Sequence, residues 1–185
     1  VPGLDQWVEL TLDNMAKFGM RDHLKEGFFR YTVDPSWEVP HFEKMLYNQA
    51  QLARVYLMAG QIYGREDYLG MARLTLDFAS SDMREKKGQY ISSLSAIDEN
   101  DIEGGSYLWT DEELLAQLGK EDAELAKAYW SMQGFAALPA GFLPMQGESV
   151  AVLAEKSGVT EAQMFERLAQ IKSTLLQRRA TRMPP

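Results

Sequence analysis

The chain has 185 residues, of which 45% are hydrophobic and 25% are charged, and its formal net charge is −8. This length and composition are sufficient for the hydrophobic core of a soluble globular domain. The excess of acidic residues disfavours binding to nucleic acids or anionic membranes, since both require clustered Lys and Arg. The sequence contains no cysteine, which excludes disulfides, thiolate zinc ligands and a cysteine nucleophile within it. No apolar run approaches the roughly 20 residues of a membrane-spanning helix. We therefore expect a cytoplasmic protein.

Helical periodicity dominates the first part of the chain. Apolar spacing predicts a helix over residues 4–18 and another over residues 67–83. Residues 20–39 lack this periodicity, and we expect an irregular or partly extended segment there. The helix between them is predicted to begin at Pro40 or His41. Its apolar residues spread well beyond one face, which indicates a helix that is covered on more than one side.

The periodicity changes at Gly88. The strings Q-Y-I-S-S-L-S-A and S-Y-L-W-T are typical of short strands and flank an acidic, Gly-containing loop, so we expect one β-hairpin near residues 88–110. Thr110 and Glu113 form a capping-box pattern that predicts the start of a helix ending at Gly119. A further helix is predicted from about residue 121 to residue 132.

The last part of the chain predicts a loop and a helix pair. Residues 134–147 are rich in Gly, Pro and apolar side chains, which favours a loop lying on the protein surface. Helices are predicted over residues 149–156 and 160–178, the second with a capping box between Thr160 and Gln163. This pair resembles a DNA-reading helix-turn-helix. Because the second helix begins with acidic residues, a structural role is favoured.

Two stretches carry a resemblance to a known family. Residues 28–52 read F-F-R-Y-T-V-D-P-S-W-E-V-P-H-F-E-K-M-L-Y-N-Q-A-Q-L, and residues 90–114 read Y-I-S-S-L-S-A-I-D-E-N-D-I-E-G-G-S-Y-L-W-T-D-E-E-L. Both, in this order, resemble motifs of the spermatogenesis-associated thioredoxin-fold protein family. Its members join a thioredoxin-like domain to an (α/α)6 barrel, which is similar to the barrels of six-hairpin glycosidases and N-acylglucosamine 2-epimerases.

The resemblance implies a mainly α fold. We expect a partial (α/α)6 toroid of helical hairpins with one β-hairpin insertion, formed by a single domain over residues 1–185. This domain would be about half of the barrel, and the thioredoxin-like domain would be absent. The sequence departs from the motif at Asn48, where the family has Asp. A carboxylate that was catalytic at that position would therefore be missing.

Carboxylates give the first functional hypothesis, which is sugar hydrolysis. Glycoside hydrolysis needs two carboxyl groups about 5 to 10 Å apart. A pair among Asp34, Glu43 and Asp98 is expected to supply them, because all three lie in or beside irregular segments at helix ends. The alternative is structural: Asp34 would cap a turn, and Glu43 would interact with a helix dipole.

Histidine gives the second hypothesis, which is sugar epimerisation. This reaction needs an acid and a base that work near neutral pH, and His is suited to both roles. His41 is the candidate, whereas a structural role is favoured for His23. No metal and no cofactor are expected.

A ligand-binding wall is expected beside these groups. Aromatic rings and cationic side chains suit a ligand with many hydroxyls, and the candidates are Arg30, Tyr31, Lys44 and Tyr47. The alternative for Arg30 is an ion pair with Asp34 or Glu43 that only holds the loop.

A non-catalytic role remains open for the domain as a whole. It would be a scaffold that binds a thioredoxin-like partner domain. Half a toroid would also expose apolar helix faces. We therefore expect the chain to form a homodimer or to be marginally stable.

Overall fold

The structure is a computed structural model and describes residues 3–133, 138 and 140–182. These residues are mainly helical, which confirms the predicted fold class, and the toroidal arrangement stays a prediction. The chain forms two compact units, Val1–Ala96 and Ile97–Pro185, and each is described separately below. None of the described helices is long and apolar enough to cross a membrane.

The first unit contains three helices and four very short strands. In chain order they are α1 (Leu4–Lys17), β1 (Tyr31–Thr32), β2 (Pro40–His41), β3 (Lys44–Met45), α2 (Leu46–Tyr63), α3 (Glu66–Asp82) and β4 (Ser93–Leu94). β1 pairs with β2, and β3 pairs with β4, both antiparallel. α2 and α3 pack as a helical hairpin that turns at Gly64, whose φ of 65° is readily adopted by glycine.

The core of this unit lies between the three helices and the start of the irregular segment. α1 contributes Leu12 and Met15, and both are buried. The Tyr56 ring of α2 stacks on Phe28 with a centroid separation of 5.5 Å, and its hydroxyl donates to the carbonyl of Leu12 at 2.7 Å. Phe28 therefore ties the irregular segment to the helical core.

The predicted start of α2 at Pro40 or His41 is wrong. Pro40–His41 is a strand, and the helix begins only at Leu46. The backbone from Pro40 to Met45 is extended because it pairs first with β1 and then with β4. Burial alternates along it: Pro40, Phe42 and Lys44 are buried while the residues between them are partly exposed. This period of two is typical of a strand.

The predicted β-hairpin near residues 88–110 is also wrong. Ser93–Leu94 pairs with Lys44–Met45, and Trp109 pairs with Phe142 through an isolated bridge. Both strand-like segments therefore find partners distant in sequence instead of each other. Between them a tight turn is closed by a bridge between Ile97 and Glu103.

The second unit contains α4 (Asp111–Tyr129), α5 (Val150–Ser157) and α6 (Glu161–Ala180). Both predicted capping boxes are confirmed, at Thr110 for α4 and at Thr160 for α6. The predicted break at Gly119 is a kink within α4, where φ is 72° and ψ is 172°. Part of the loop predicted over residues 134–147 lies outside the described residues.

A polar network supports the packing of α1 on α3. Tyr68 donates a hydrogen bond of 2.9 Å to the Asp13 carboxylate, and Arg65 donates to the same carboxylate at 2.9 Å. Burial raises the pKa of Asp13, but the hydrogen bonds from Tyr68 and Arg65 outweigh burial and leave the pKa below its ordinary value. The ionised form of Asp13 is therefore favoured in the folded state.

We predict that Asp13→Asn lowers the stability of the chain in a pH-dependent way. Because the pKa of Asp13 is lower in the folded than in the unfolded chain, its contribution is fully present above about pH 4 and is lost as the pH falls through the folded-state pKa. The free energy of unfolding should drop by about 1–2 kcal/mol at pH 6. Urea denaturation at pH 6 and pH 3 measures the change, and the difference between variant and wild type should shrink at pH 3.

Asp77→Asn, the same substitution at an exposed position of α3, is the control. It should change the stability little at either pH. A pH-independent loss in Asp13→Asn would contradict the role given to its carboxylate.

Candidate functional site

A buried ion pair anchors the irregular segment that precedes α2. Lys44 Nζ lies 2.7 Å from Asp22 Oδ2, and the side chains are 1% and 4% exposed. The same ammonium group donates to the carbonyl of Glu26 at 2.8 Å and lies 4.4 Å from the ring centroid of Phe78. Lys44, which the sequence analysis assigns to ligand binding, is therefore buried in the structure and holds the segment together.

Asp22 uses its second carboxylate oxygen to fix the backbone. Asp22 Oδ1 accepts hydrogen bonds of 3.1 Å from the N–H groups of Leu24 and Lys25. One buried carboxylate thus neutralises a buried cation and shapes the turn beside it. The role of Asp22 cannot be predicted from the sequence, because a single Asp in a polar stretch carries no signal of burial.

Two amides of α2 hold the other end of the segment. Gln49 Oε1 accepts from the N–H of Phe28 at 2.8 Å, and Gln49 Nε2 donates to the carbonyl of the same residue at 2.7 Å. Asn48 Nδ2 donates to the carbonyl of Phe29 at 3.0 Å. Gln49 shares the buried face of α2 with Leu52, at helical spacing. A polar residue on that apolar face was the signal that could have revealed its role.

This anchored backbone presents a group of side chains that we call the surface cluster, namely Arg30, Tyr31, His41, Glu43 and Tyr47. Glu43 Oε2 accepts from Arg30 Nη1 at 2.8 Å and lies 3.3 Å from His41 Nε2. The side chains of Arg30 and Glu43 are 44% and 30% exposed, so this ion pair faces solvent. The structure thus brings His41 and Glu43, both predicted to be catalytic, into contact with each other. Arg30, which is predicted to bind a ligand, contacts the same oxygen of Glu43.

Aromatic rings border the charged part of the surface cluster. The register of β1 and β2 sets Tyr31 opposite His41, and their rings stack with centroids 5.1 Å apart. Tyr31 and Tyr47 are both about half exposed. Hydrogen bonds from Arg30 to Glu43 and to Tyr47 raise the pKa of Arg30 above its ordinary value. Arg30 therefore links the carboxylate to the second tyrosine and stays charged.

The other predicted catalytic carboxylates stabilise turns. Asp34 accepts hydrogen bonds from the N–H groups of Glu38, at 3.1 Å, and Val39, at 2.7 Å. In the second unit, Asp98 Oδ1 accepts from the N–H groups of Asn100, at 2.9 Å, and Ile102, at 3.0 Å. The structural alternative for Asp34, that its carboxylate caps a turn, describes these contacts.

His23 has the surroundings that are expected of a structural histidine. His23 is buried, and its Nε2 lies 3.2 Å from the carbonyl of Phe18, as suits a structural histidine. Among the residues that the structure describes, no group of three or more His, Cys, Asp or Glu side chains is arranged to hold a metal ion.

Comparison with known proteins identifies homologues of part of the chain. The chain is 42% identical to spermatogenesis-associated protein 20 of Rattus norvegicus over 109 residues, which are 56% of this chain and 14% of that protein. The human protein of the same name is 41% identical over the same length. An uncharacterized protein of Caenorhabditis elegans is 51% identical over 49 residues, which are 26% of this chain and 7% of that protein. No family model matches the chain.

These identities demonstrate homology to spermatogenesis-associated protein 20 and support the family predicted from the two motifs. The chain spans 14% of the length of these mammalian relatives. That this chain is part of a barrel, and that the thioredoxin-like domain of the family is absent from it, stay predictions.

We predict that Lys44→Met strongly destabilises the first unit. It leaves the Asp22 carboxylate buried without its cation, which should lower the free energy of unfolding by about 3–5 kcal/mol. Adding Asp22→Asn should recover part of the loss, because a neutral amide is less costly to bury and its oxygen still accepts from the backbone. Urea denaturation followed by circular dichroism measures both variants.

Arg30→Met is the matched control, since it removes the cation of an exposed ion pair nearby. Arg30→Met should lower the free energy of unfolding by less than about 1 kcal/mol. Equal losses for Arg30→Met and Lys44→Met would contradict the anchoring role of the buried pair.

Proposed function

We propose that the surface cluster binds a sugar and that His41, with Glu43, moves a proton at the carbon beside the sugar's carbonyl, as epimerisation requires. The observation that carries this proposal is the sharing of Glu43 Oε2 between Arg30 and His41, at 2.8 and 3.3 Å. A carboxylate beside an imidazole orients the ring for proton transfer. An acid–base group of this type is what proton transfer near neutral pH needs.

Hydrolysis is the weaker of the two predicted reactions. It needs two carboxyl groups across one bond. Asp34 and Asp98 accept hydrogen bonds from backbone N–H groups that shape their own turns. The Glu43 carboxylate, by contrast, contacts the side chains of Arg30 and His41. A site with one carboxylate and one imidazole is better suited to the proton transfer of epimerisation than to glycoside hydrolysis.

The proposed reaction conserves all atoms and electrons. The imidazole of His41 takes a proton from the carbon next to the carbonyl, and the electron pair left behind forms an enolate. The guanidinium group of Arg30 stabilises the negative oxygen of that enolate. This group stays charged, is about half exposed and lies beside Glu43, which also contacts the imidazole of His41. The protonated His41 returns this proton after the enolate has turned its other face to the ring, which gives the epimer and restores the neutral imidazole.

The two tyrosines supply a binding surface for the sugar ring. Tyr31 and Tyr47 expose about half of their surface, and each lies beside a polar member of the cluster: Tyr31 beside His41 and Tyr47 beside Arg30. An aromatic face covers the apolar side of a sugar ring while neighbouring polar groups meet its hydroxyls. The cluster offers both kinds of contact.

A non-catalytic interaction surface is the second candidate. Val33 is exposed and shares one side of its segment with Tyr31. Exposed apolar residues beside an exposed ion pair are also typical of a site for a protein partner. A thioredoxin-like domain is the partner that the family resemblance implies.

We predict saturable binding of at least one neutral aldose, ketose or N-acetylhexosamine in an isothermal titration calorimetry panel. Tyr31→Ala should weaken the binding by about tenfold, because a half-exposed stacking surface is removed. In D2O, NMR should detect exchange of the hydrogen beside the sugar carbonyl. His41→Gln should slow this exchange at least about 100-fold while the sugar still binds.

Asp77→Asn, on the exposed side of α3, is the control and should change neither binding nor exchange. Failure of every sugar in the panel, together with saturable binding of a thioredoxin-like domain, would replace the sugar hypothesis by the interaction hypothesis. Binding without exchange would refute the catalytic part alone.

A further inference from the structure

A small polar cavity lies in the second unit, between the acidic turn over residues 98–105 and the C-terminal end of α6. Its volume is about 200 Å³, below the range of roughly 300–1,000 Å³ found for sites that bind drug-sized ligands. Asp98 and Glu99 line it on the side of the turn, and Arg178 and Arg182 line it at the end of α6. Every other described lining residue is polar or a glycine. The cavity therefore suits a small and fully polar ligand.

The protein itself already binds the guanidinium group of Arg182. Its Nη1 donates to the carbonyl of Leu108 at 2.7 Å, and its Nη2 donates to both carboxylate oxygens of Glu113 at 3.1 Å. Its Cζ lies 4.1 Å from the ring centroid of Trp109. Arg182 therefore forms a fixed wall of the cavity and needs no ligand to complete its contacts.

Arg178 has fewer partners than Arg182. Its Nη1 donates to the hydroxyl of Thr181 at 2.9 Å, whereas its Nη2 lies 3.8 Å from Glu113 Oε1, which is too far for a hydrogen bond. Its Nε is buried and has no hydrogen-bond partner among the residues that the structure describes. The side chain is 40% exposed. The terminal nitrogens of Arg178 can therefore donate to a carboxylate in the cavity.

Positive charge is crowded at this end of α6. Burial lowers the pKa of Arg182, and the charges of Arg178 and Arg179 lower it further, against the opposing effect of Glu113. The neighbouring cations thus make each other's charged forms less favourable. A carboxylate in the cavity would offset this repulsion, so a negative group is favoured beside Arg178.

Negative charge lies on the side of the turn. Asp98 Oδ1 accepts hydrogen bonds from the N–H groups of Asn100 and Ile102, which fix the carboxylate in place. Asp98 Oδ2 lies against Gly105, and any side chain at that position would collide with it. Glu99 is exposed and adds a second carboxylate. This side of the cavity therefore suits an ammonium group.

We propose that this cavity binds a small zwitterion, namely an amino acid whose carboxylate pairs with Arg178 and whose ammonium group pairs with Asp98 and Glu99. The two arginines and two acids that line the cavity sum to zero charge. An anion such as phosphate would meet the two carboxylates, and a polyamine would meet the two arginines, so each would be repelled. A ligand that carries both charges avoids both repulsions. The site shares no residue with the surface cluster and does not depend on the proposed sugar chemistry.

An NMR titration of the chain with matched small molecules tests the charge requirement. Glycine, β-alanine and γ-aminobutyrate carry both charges at increasing separation. The tightest binder of the three should shift amide signals of residues 98–106 and 178–182 with a dissociation constant below about 1 mM. The carboxylate and the amine that result from deleting its other charged group, propionate and ethylamine in the case of β-alanine, should bind at least about tenfold more weakly.

Two conservative variants test the two sides of the cavity. Arg178→Gln should weaken binding of the zwitterion at least about tenfold. Arg167→Gln is its control, because Arg167 is a 39% exposed arginine of the same helix that does not line the cavity. Asp98→Asn keeps an oxygen for the turn but removes the charge, so it should weaken the zwitterion and reduce its advantage over the carboxylate analogue. Asp101→Asn, in the same turn, is the second control, and circular dichroism checks that all four variants fold.

Three results would overturn the proposal. The first is the absence of shifts in residues 98–106 and 178–182 with all three zwitterions up to about 10 mM. The second is equal binding of the zwitterion and its carboxylate analogue, which would make the cavity an anion site. The third is an equal loss of binding in the variants and their controls.

Discussion

The arrangement of the first unit depends on the buried ion pair between Lys44 and Asp22. A charge is placed in a protein interior only when a partner and further hydrogen bonds compensate for lost solvation. Here Asp22 and the carbonyl of Glu26 supply both, at 2.7 and 2.8 Å. Because Lys44 points inward from an extended backbone, its neighbour Glu43 must point outward. The buried pair thus decides which face of the strand carries the candidate chemistry.

Local signals in the sequence predicted the parts of the fold that local interactions determine. The capping boxes at Thr110 and Thr160 are complete within four residues, and both are present. The start of α2 was predicted wrongly, because the apolar residues after Pro40 also fit a helical period. The strands that hold this backbone extended lie elsewhere in the chain: Tyr31 pairs with His41, and Leu94 pairs with Lys44. Pairing with segments this far away in sequence cannot be predicted from the periodicity of apolar residues.

The candidate site, like the fold, could be predicted from the sequence only in part. One motif contains Arg30, His41 and Glu43, and the structure joins them through a single carboxylate oxygen. Lys44 is predicted to bind a ligand because a cationic side chain suits a ligand with many hydroxyls, whereas in the structure it is fully buried and paired. Its partner Asp22 lies 22 residues earlier, in a stretch without any pattern. The motif therefore predicts the residues that face outward but not Asp22, whose ion pair with Lys44 turns them outward.

The anchored segment presents Tyr31, His41 and Glu43 as one preorganised unit. The chain has two histidines, so its NMR spectrum contains two sets of imidazole signals, and His23 is the buried internal reference. A nuclear Overhauser measurement on the unliganded wild-type chain tests this arrangement. We expect cross-peaks between the imidazole of His41 and the ring protons of Tyr31, because the centroids of the two rings are 5.1 Å apart. A folded chain without these cross-peaks would contradict it.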